Sequence, residues 1–293
     1  MTRTFQLDLP HGTPHATHLA CRANGAGPVR VLLLHGFPEA AFVWDEVMQM
    51  LAPQLHCVAP NLRGYVGSSA PAEVSAYRAK HLVADVAACI EKLGSPIDLL
   101  VAHDWGGALA WNLAAQRPDL LKHLLIINSP HPATFLRELR DNPAQQAAST
   151  YMNFLCRPDA EALLAAKDFA RIWPFFGDAA WLTPAARQQY RAAWSAGLTG
   201  PLNYYRASPL RPPVAATDLI NTLALPDELV TVRVPTTVLW GERDKALLPA
   251  LLTGLDRWVP RLQIEPVPEA SHWIVHEQPA RVARVIQRCL GLA

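Results

Sequence analysis

Residues 101–107 read VAHDWGG, a pattern typical of a sharp turn between a buried strand and a helix. The apolar run IDLL precedes it at positions 97–100, and the helix-like segment LAWNLAA follows it at 109–115. Asp104 therefore lies at the junction, with the small residues Ala102 and Gly106 two positions to either side. Bulky side chains there would collide in the strained turn that presents a nucleophile. The pattern predicts that this turn holds Asp104 above a sheet, beside a helix N-terminus that favours negative charge.

The composition argues against several classes of function. The 293 residues are enough for one large domain or for a domain with an insertion. A formal net charge of +1 gives no indication of binding to nucleic acid or to an anionic membrane surface. The five cysteines are scattered without metal-finger spacing, which favours reduced thiols. The first residues lack the apolar core of a signal peptide and no apolar segment approaches membrane-spanning length, so we expect a soluble cytoplasmic protein.

Strands and helices alternate along the first 128 residues. Residues 5–9 and 15–22 alternate enough to form a pair of strands. Apolar runs at 29–34, 57–60, 97–100 and 121–128 predict buried strands, and helical periodicity appears at 42–51 and 81–93. This alternation predicts a parallel sheet with helices on both faces.

The strand pattern stops after Asn128 and returns near residue 234. Residues 131–230 contain no clear buried strand and read as several helices broken by prolines. Strands at 234–240 and 262–267 and an amphipathic helix at 279–290 complete the pattern. Because the sheet pattern resumes, we predict a core domain of residues 1–130 and 231–293 with an inserted helical cap of residues 131–230. A separate second domain is the alternative.

Polar residues follow the predicted strands, at the edge where open parallel sheets bind ligands. They are His35, Asn61, Asp104, Asn128, Asp244 and His272. Three of them, Asp104, Asp244 and His272, occur in the order nucleophile, acid, histidine that is typical of the α/β-hydrolase triad. Taken singly, Asp244 and His272 could each be loop residues without a function.

An aspartate in the nucleophile position predicts displacement at a saturated carbon. Asp104 would attack that carbon and form an alkyl ester on the enzyme. Water activated by His272, which Asp244 orients, would then release the ester. This hydrolysis passes through an oxyanion on the Asp104 carboxyl group, for which we expect the backbone N–H groups of Phe37 and Trp105 as donors.

These motifs resemble the epoxide hydrolases of the α/β-hydrolase fold. The segments HGFPE (35–39), NLRGY (61–65), HDWGG (103–107) and SPHP (129–132) occur in the order and at the spacing of that family. The resemblance covers nearly the whole chain and implies an eight-stranded, mostly parallel sheet with a helical cap after the sixth strand. It also implies substrate contacts from His35, Pro38 and Trp105 and a cis peptide bond before Pro38. Asn61 is a departure, since many relatives carry aspartate there, and we expect it to change loop hydrogen bonding rather than chemistry.

The identity of the leaving group depends on the helical insertion. An epoxide oxygen needs a proton donor, because an alkoxide is a poor leaving group. In epoxide hydrolases two cap tyrosines supply the proton. The segment LNYYR at 202–206 resembles the family's Asn-aromatic-Tyr-Arg segment and indicates Tyr205, and YMNFL at 151–155 indicates Tyr151. Both tyrosines could instead be packing residues of the cap helices.

Haloalkane and haloacetate dehalogenases also use an aspartate nucleophile and are the alternative. Trp105 fits the haloalkane enzymes too, although many of them carry asparagine where this chain has Phe37. Other haloalkane dehalogenases use a cap tryptophan as halide donor, and Trp173, Trp181 and Trp194 are candidates for that role. Halide displacement needs no pair of acids, so the first prediction is opening of an epoxide to a vicinal diol. A ligand-binding relative without catalysis is the most remote alternative.

The predicted reaction needs only an apolar epoxide and water as partners, without a metal or a cofactor. We expect a monomer or a homodimer. A metal site at the closely spaced His11, His15 and His18 is conceivable, but no acids accompany them and exposed histidines are the simpler interpretation.

Overall fold

Eight strands form one sheet in the computed structural model, which describes residues 2–10 and 17–292. The strands are β1 Arg3–Asp8, β2 His18–Asn24, β3 Val31–Leu34, β4 Cys57–Pro60, β5 Ile97–His103, β6 Leu121–Ile127, β7 Thr236–Gly241 and β8 Leu262–Val267. Their spatial order is β1-β2-β4-β3-β5-β6-β7-β8, in which β1 with β2 and β2 with β4 pair antiparallel and all other neighbours pair parallel. The predicted eight-stranded, mostly parallel sheet is confirmed. Positions 15 and 16 of the predicted second strand lie outside the described residues.

Twelve α-helices surround the sheet in the described part of the chain. They are α1 Asp45–Leu51, α2 Ala79–Gly94, α3 Asp104–Gln116, α4 Pro132–Asp141, α5 Pro143–Ala148, α6 Tyr151–Leu155, α7 Ala160–Phe169, α8 Pro184–Ser195, α9 Thr199–Ala207, α10 Asp227–Val230, α11 Ile274–Glu277 and α12 Pro279–Cys289. The helix predicted at 42–51 is divided, because a short 3-10 turn, Ala41–Trp44, precedes α1.

The two faces of the sheet bury alternate residues of each strand, as the two-residue period of a strand requires. On β5, Leu99 and Val101 belong to one apolar cluster and Leu100 and Ala102 to the other. Helices α1 and α12 pack together on the first face, and α2 and α3 pack together on the second. The continuous apolar runs of the sequence therefore form strands whose two faces are both buried under helices.

Every element between β6 and β7 in the described chain is helical. The helices α4 to α10 and two short 3-10 turns lie between residues 132 and 230, within the predicted insertion of residues 131–230. The division into a core domain and a cap domain stays a prediction. On its inner side this insertion packs aromatic rings against the core, with the Phe176 ring centroid 4.6 Å from that of Trp273.

Within the described residues, no helix has both the length and the apolar character needed to cross a bilayer. Cytoplasmic location and oligomeric state stay predictions.

No cluster of three or more His, Cys, Asp or Glu side chains that could hold a metal ion occurs in the described ranges 2–10 and 17–292. Two of the three closely spaced histidines, His11 and His15, lie outside those ranges, and His18 bonds through Nδ1 to Ser69 Oγ at 3.0 Å.

Candidate active site

Asp104 occupies the turn between β5 and α3, where the strand ends at His103 and the helix begins at the next residue. Its φ angle is +48°, in the left-handed region that non-glycine residues rarely adopt. The space around it explains the small neighbours. A Cβ atom on Gly106 would lie 2.6 Å from the carbonyl oxygen of His35, and one on Gly36 would lie 2.1 Å from Oδ1 of Asp104. The predicted turn, with its requirement for small residues, is present.

Asp104, Asp244 and His272 lie together at the carboxyl ends of the strands. His272 follows β8 and donates from Nδ1 to Oδ2 of Asp244 at 2.6 Å. Its other ring nitrogen, Nε2, lies 3.7 Å from Oδ2 of Asp104. This arrangement holds the imidazole by one carboxylate and aims it at the other, which is the geometry of a base serving a nucleophile.

Asp244 follows β7 and is held by several donors besides His272. Its Oδ1 accepts from the backbone N–H groups of Ala246 and Leu247 at 2.8 and 2.9 Å. Its Oδ2 also accepts from Nδ2 of Asn128 at 2.9 Å. Asn128 in turn accepts from the N–H of Gly241 at 2.8 Å, which ties the end of β6 to the end of β7. The sequence predicted Asn128 at the end of a strand but indicated no role for it. Its position after the strand was the only sequence feature that pointed to the site.

The charges of the two carboxylates act on His272. Burial alone would lower the pKa of the imidazole, but Asp244 and then Asp104 raise it to about 9. The pKa of Asp244 is lowered, because the charge and hydrogen bond of His272 outweigh a burial that acts in the opposite direction. His272 is therefore an imidazolium at neutral pH.

The Asp104 carboxylate already contacts one of the expected oxyanion donors. The N–H of Phe37 donates to Oδ1 of Asp104 at 2.7 Å, and the peptide bond between Phe37 and Pro38 is cis. Trp105 lies in the first turn of α3, where backbone N–H groups have no acceptor within their own helix. The N–H of Phe37 is suited to a negative charge that develops on Oδ1, and the second donor, the N–H of Trp105, stays a prediction.

Two tyrosines of the helical insertion line the same space as Asp104. Tyr151 begins α6 and Tyr205 lies on α9, with 6.2 Å between their ring centroids. Burial raises the pKa of both phenols well above the ordinary value. The charge of Asp104 adds to this effect for Tyr151, and Tyr151 and Asp104 add to it for Tyr205. The neighbouring Tyr204 donates to the carbonyl of Arg63 at 2.9 Å and so fixes α9 to the core. Both phenols are therefore protonated, and Tyr205 lies on a helix that is bonded to the core.

Comparison with known proteins agrees with this geometry. A family model described as alpha/beta hydrolase fold matches residues 29–279. Epoxide hydrolase 3 of Xenopus tropicalis is 33% identical over 282 residues, which cover 92% of this chain and 73% of that protein. The chain belongs to the epoxide hydrolase family of the α/β-hydrolase fold.

Two further relatives extend this family assignment. A Bacillus megaterium epoxide hydrolase, whose crystal structure contains an inhibitor, superposes with a TM-score of 0.88 at 31% identity and covers 98% of this chain and 100% of its own. The AB hydrolase superfamily protein YfhM of Bacillus subtilis is 32% identical over 276 residues, 92% of each chain. The predicted family is confirmed, and the similarity covers almost the full length of both proteins.

Two cavities meet at the site, and Asp104, Tyr151 and Tyr205 line both of them. The inner cavity, of about 230 Å³, is mainly apolar. Its wall includes Trp105, Ala108, Phe135, Met152, Leu210, Leu223 and Leu225. The outer cavity, of about 590 Å³, includes Pro38, Asp244 and His272 in its wall. Pro38 and Trp105, two of the three residues expected to contact substrate, thus line the cavities.

His35, the third residue expected to contact substrate, has a different position. It is fully buried and lines neither cavity. Its Nε2 accepts from the N–H of Leu62 at 3.1 Å, so the ring proton is on Nδ1 and is donated to the carbonyl of Gly36 at 2.9 Å. Burial lowers the pKa of His35 to about 4, which keeps this ring neutral. His35 therefore holds the loop that carries Phe37, and its contact with substrate stays a prediction.

Asn61 makes two hydrogen bonds in its loop. Its Oδ1 accepts from the N–H of Ala41 at 2.7 Å, and its Nδ2 donates to the carbonyl of Val66 at 2.8 Å. An amide can accept and donate at once, whereas an ionised aspartate can only accept. An aspartate at this position could accept the first bond but could not donate the second, and the expected effect on the loop stays a prediction.

Glu39 is a buried residue whose role the sequence did not reveal. Its Oε2 accepts from Nδ1 of His103 at 3.0 Å, and His103 donates from Nε2 to the carbonyl of His272 at 2.9 Å. Its Oε1 accepts from Tyr190 and from His276, each at 2.9 Å. Burial would raise the pKa of Glu39, but the hydrogen bonds from the two histidines lower it below the ordinary value. The only sequence feature that pointed to Glu39 was its place in the HGFPE segment. Its role was missed because its hydrogen-bond partners are distant in the sequence.

Proposed function

We propose that this chain hydrolyses an apolar epoxide to a vicinal diol through a covalent ester on Asp104. One observation carries the proposal: the outer cavity is lined at once by Asp104, Tyr151, Tyr205 and His272. A nucleophile, two acids and a base thus face one space in which a small substrate fits. The membership in the epoxide hydrolase family supports the same reaction.

In the first step, Asp104 opens the ring. The N–H of Phe37 occupies Oδ1, so Oδ2 is the oxygen that attacks a ring carbon while the carbon–oxygen bond of the epoxide breaks. The ring oxygen takes a proton from one of the two tyrosines. Their raised pKa keeps them protonated before reaction, and an alkoxide is a stronger base than a phenolate. The imidazolium of His272 then returns a proton to the phenolate and becomes a neutral base.

In the second step, water hydrolyses the ester. His272 takes a proton from the water as its oxygen bonds to Cγ of Asp104, and the oxyanion forms on Oδ1 beside the N–H of Phe37. The bond between Cγ and the alkyl oxygen breaks, and that oxygen leaves as the second hydroxyl of the diol after it receives the proton from His272. The new carboxyl group of Asp104 gives its proton back to His272, which restores the ion pair.

The cap tryptophans do not support the dehalogenase alternative. The indole N–H of Trp194 donates to the carbonyl of Pro38 at 2.7 Å, and that of Trp173 donates to the carbonyl of Asp168 at 2.8 Å. The third, Trp181, has a buried indole nitrogen and lines neither cavity. None of the three tryptophans lines either cavity, whereas two phenols line both cavities beside Asp104.

The test uses a His272→Gln variant incubated with an epoxide such as styrene oxide. Without the base, the ester should persist, and intact mass should rise by the whole mass of the epoxide, localised to Asp104 by peptide mapping. A His123→Gln variant is the matched control, because His123 bonds to Thr237 away from the site; it should turn over normally and carry no adduct. An adduct that forms only from a haloalkane, with loss of hydrogen halide, would contradict the proposal and support the dehalogenase.

A further inference from the structure

The loop of residues 36–39, called here the oxyanion loop, is held from the helical insertion as well as from the core. The indole N–H of Trp194 donates to the carbonyl of Pro38 at 2.7 Å. The hydroxyl of Tyr190 donates to Oε1 of Glu39 at 2.9 Å. Both donors lie on α8, 156 and 151 positions away from their acceptors in sequence.

Helix α8 is built to present these two donors together. Tyr190 and Trp194 are four residues apart, so they lie on the same face of the helix. Both side chains are buried, at 0% and 4% exposure. Aromatic rings from other elements surround them: the Phe42 ring centroid is 4.9 Å from that of Tyr190, and the Phe169 centroid is 5.2 Å from that of Trp194. The burial of Tyr190 and the charge of Glu39 raise the pKa of this phenol well above the ordinary value, so it remains a donor.

The two bonds act next to the backbone group that faces the nucleophile. The N–H of Phe37, 2.7 Å from Oδ1 of Asp104, belongs to the residue directly before Pro38. His35 fixes the start of the loop through the carbonyl of Gly36, and α8 fixes its end. A peptide N–H stabilises an oxyanion only when it is held in place before the charge develops.

We propose that Tyr190 and Trp194 are positioning residues that aim the N–H of Phe37 at the oxyanion of ester hydrolysis. The inference rests on the proposed function, since it concerns the second of the two steps. Alkylation consumes the negative charge of Asp104, so this N–H gives that step no advantage. Hydrolysis creates a new negative charge on Oδ1, so misalignment of the N–H should slow hydrolysis selectively.

The experiment measures the two steps separately in Tyr190→Phe, Trp194→Phe and the double variant. Rapid mixing with an epoxide gives the alkylation rate constant, and the decay of the trapped ester gives the hydrolysis rate constant. Removal of a whole oxyanion donor costs roughly 10²–10³ in rate, so a donor that is only misaligned should cost about tenfold in hydrolysis. Alkylation should change less than about twofold, and the ester should therefore accumulate at steady state.

A Trp258→Phe variant is the matched control. It also removes an indole N–H, but one that donates to Asp227 and not to the oxyanion loop, and both rate constants should stay as in the wild type. Equal losses in alkylation and hydrolysis, or a rise in KM alone, would show that α8 merely supports the fold and would overturn the inference. If Trp194→Phe does not fold, Tyr190→Phe still decides, because it removes a single oxygen atom. A wild-type protein without activity on epoxides would instead defeat the proposed function, so the two failures are distinguishable.

Discussion

Nε2 of His272 lies 3.7 Å from Oδ2 of Asp104, whereas Nδ1 of the same ring lies 2.6 Å from Oδ2 of Asp244. The shorter distance is a charge-assisted hydrogen bond that fixes the orientation of the ring. The longer one exceeds hydrogen-bond range, so Nε2 is directed at Asp104 without being bonded to it. A base in this position can serve a water molecule that attacks the ester carbon, which agrees with the proposed second step.

The hydrolysis step should depend on pH through His272. In the resting enzyme, Asp244 and Asp104 together raise the pKa of His272 to about 9. Formation of the ester removes the charge of Asp104, so the pKa in the intermediate should be lower than in the resting enzyme. Only the neutral ring accepts a proton from water, so the rate constant for ester decay should rise with pH and reach its plateau below pH ~9. Single-turnover decay measured from pH ~6 to ~10 checks this, and a rate that falls with rising pH would contradict it.

Asp244→Asn should impair the same step. The change removes the carboxylate that orients His272 and stabilises its charged form, and the loss in hydrolysis rate should approach about 10⁴-fold. The pH profile of ester decay should also move to lower pH, because the partner that raises the pKa of His272 is gone. Asp256→Asn, at an exposed position, is the control and should behave as wild type. An unchanged decay rate in Asp244→Asn would remove Asp244 from the mechanism.

The two tyrosines should act in ring opening. Tyr151→Phe and Tyr205→Phe should each lower the alkylation rate by about 10²-fold, and the double variant should not form the ester with an epoxide at all. Rapid-quench mass measurements follow the ester directly. Tyr65→Phe is the matched control, since its hydroxyl is buried without a hydrogen-bond partner in the described part of the chain and lines neither cavity. Alkylation by the double variant at the wild-type rate would exclude both tyrosines as acids.

The inner cavity should select the apolar substituent of the substrate. Ala108 lines this cavity of about 230 Å³ on helix α3, and Ala108→Leu adds three carbons without disturbing a helix. We expect kcat/KM for styrene oxide to fall about tenfold or more, because apolar surface of the ring is no longer buried. Propylene oxide, with a single methyl substituent, should be hydrolysed as before. Equal losses for both epoxides would indicate a general disturbance of α3 and contradict this role for the cavity.

Much of the site could be predicted from local patterns. The turn at Asp104 is visible because Ala102 and Gly106 must be small, and the loop containing Phe37 is a contiguous motif. The strand ends indicated Asp244 and His272, because parallel strands present their carboxyl ends at one edge. His35 occupied the same kind of position, yet its ring turned into the protein. A strand end locates a residue at the edge of a sheet but does not give the direction of its side chain.

The sequence by itself determined the alternation of strands and helices and the residue types at the strand ends, because apolar periodicity and turn geometry depend on neighbours in the chain. Only the tertiary structure decided which groups meet across long separations. Tyr190 and His276 bond to Glu39 from 151 and 237 positions away. Apolar periodicity cannot predict a contact over such a separation. A buried carboxylate must find donors wherever the packing brings them, so its partners depend on how α8 lies on the sheet.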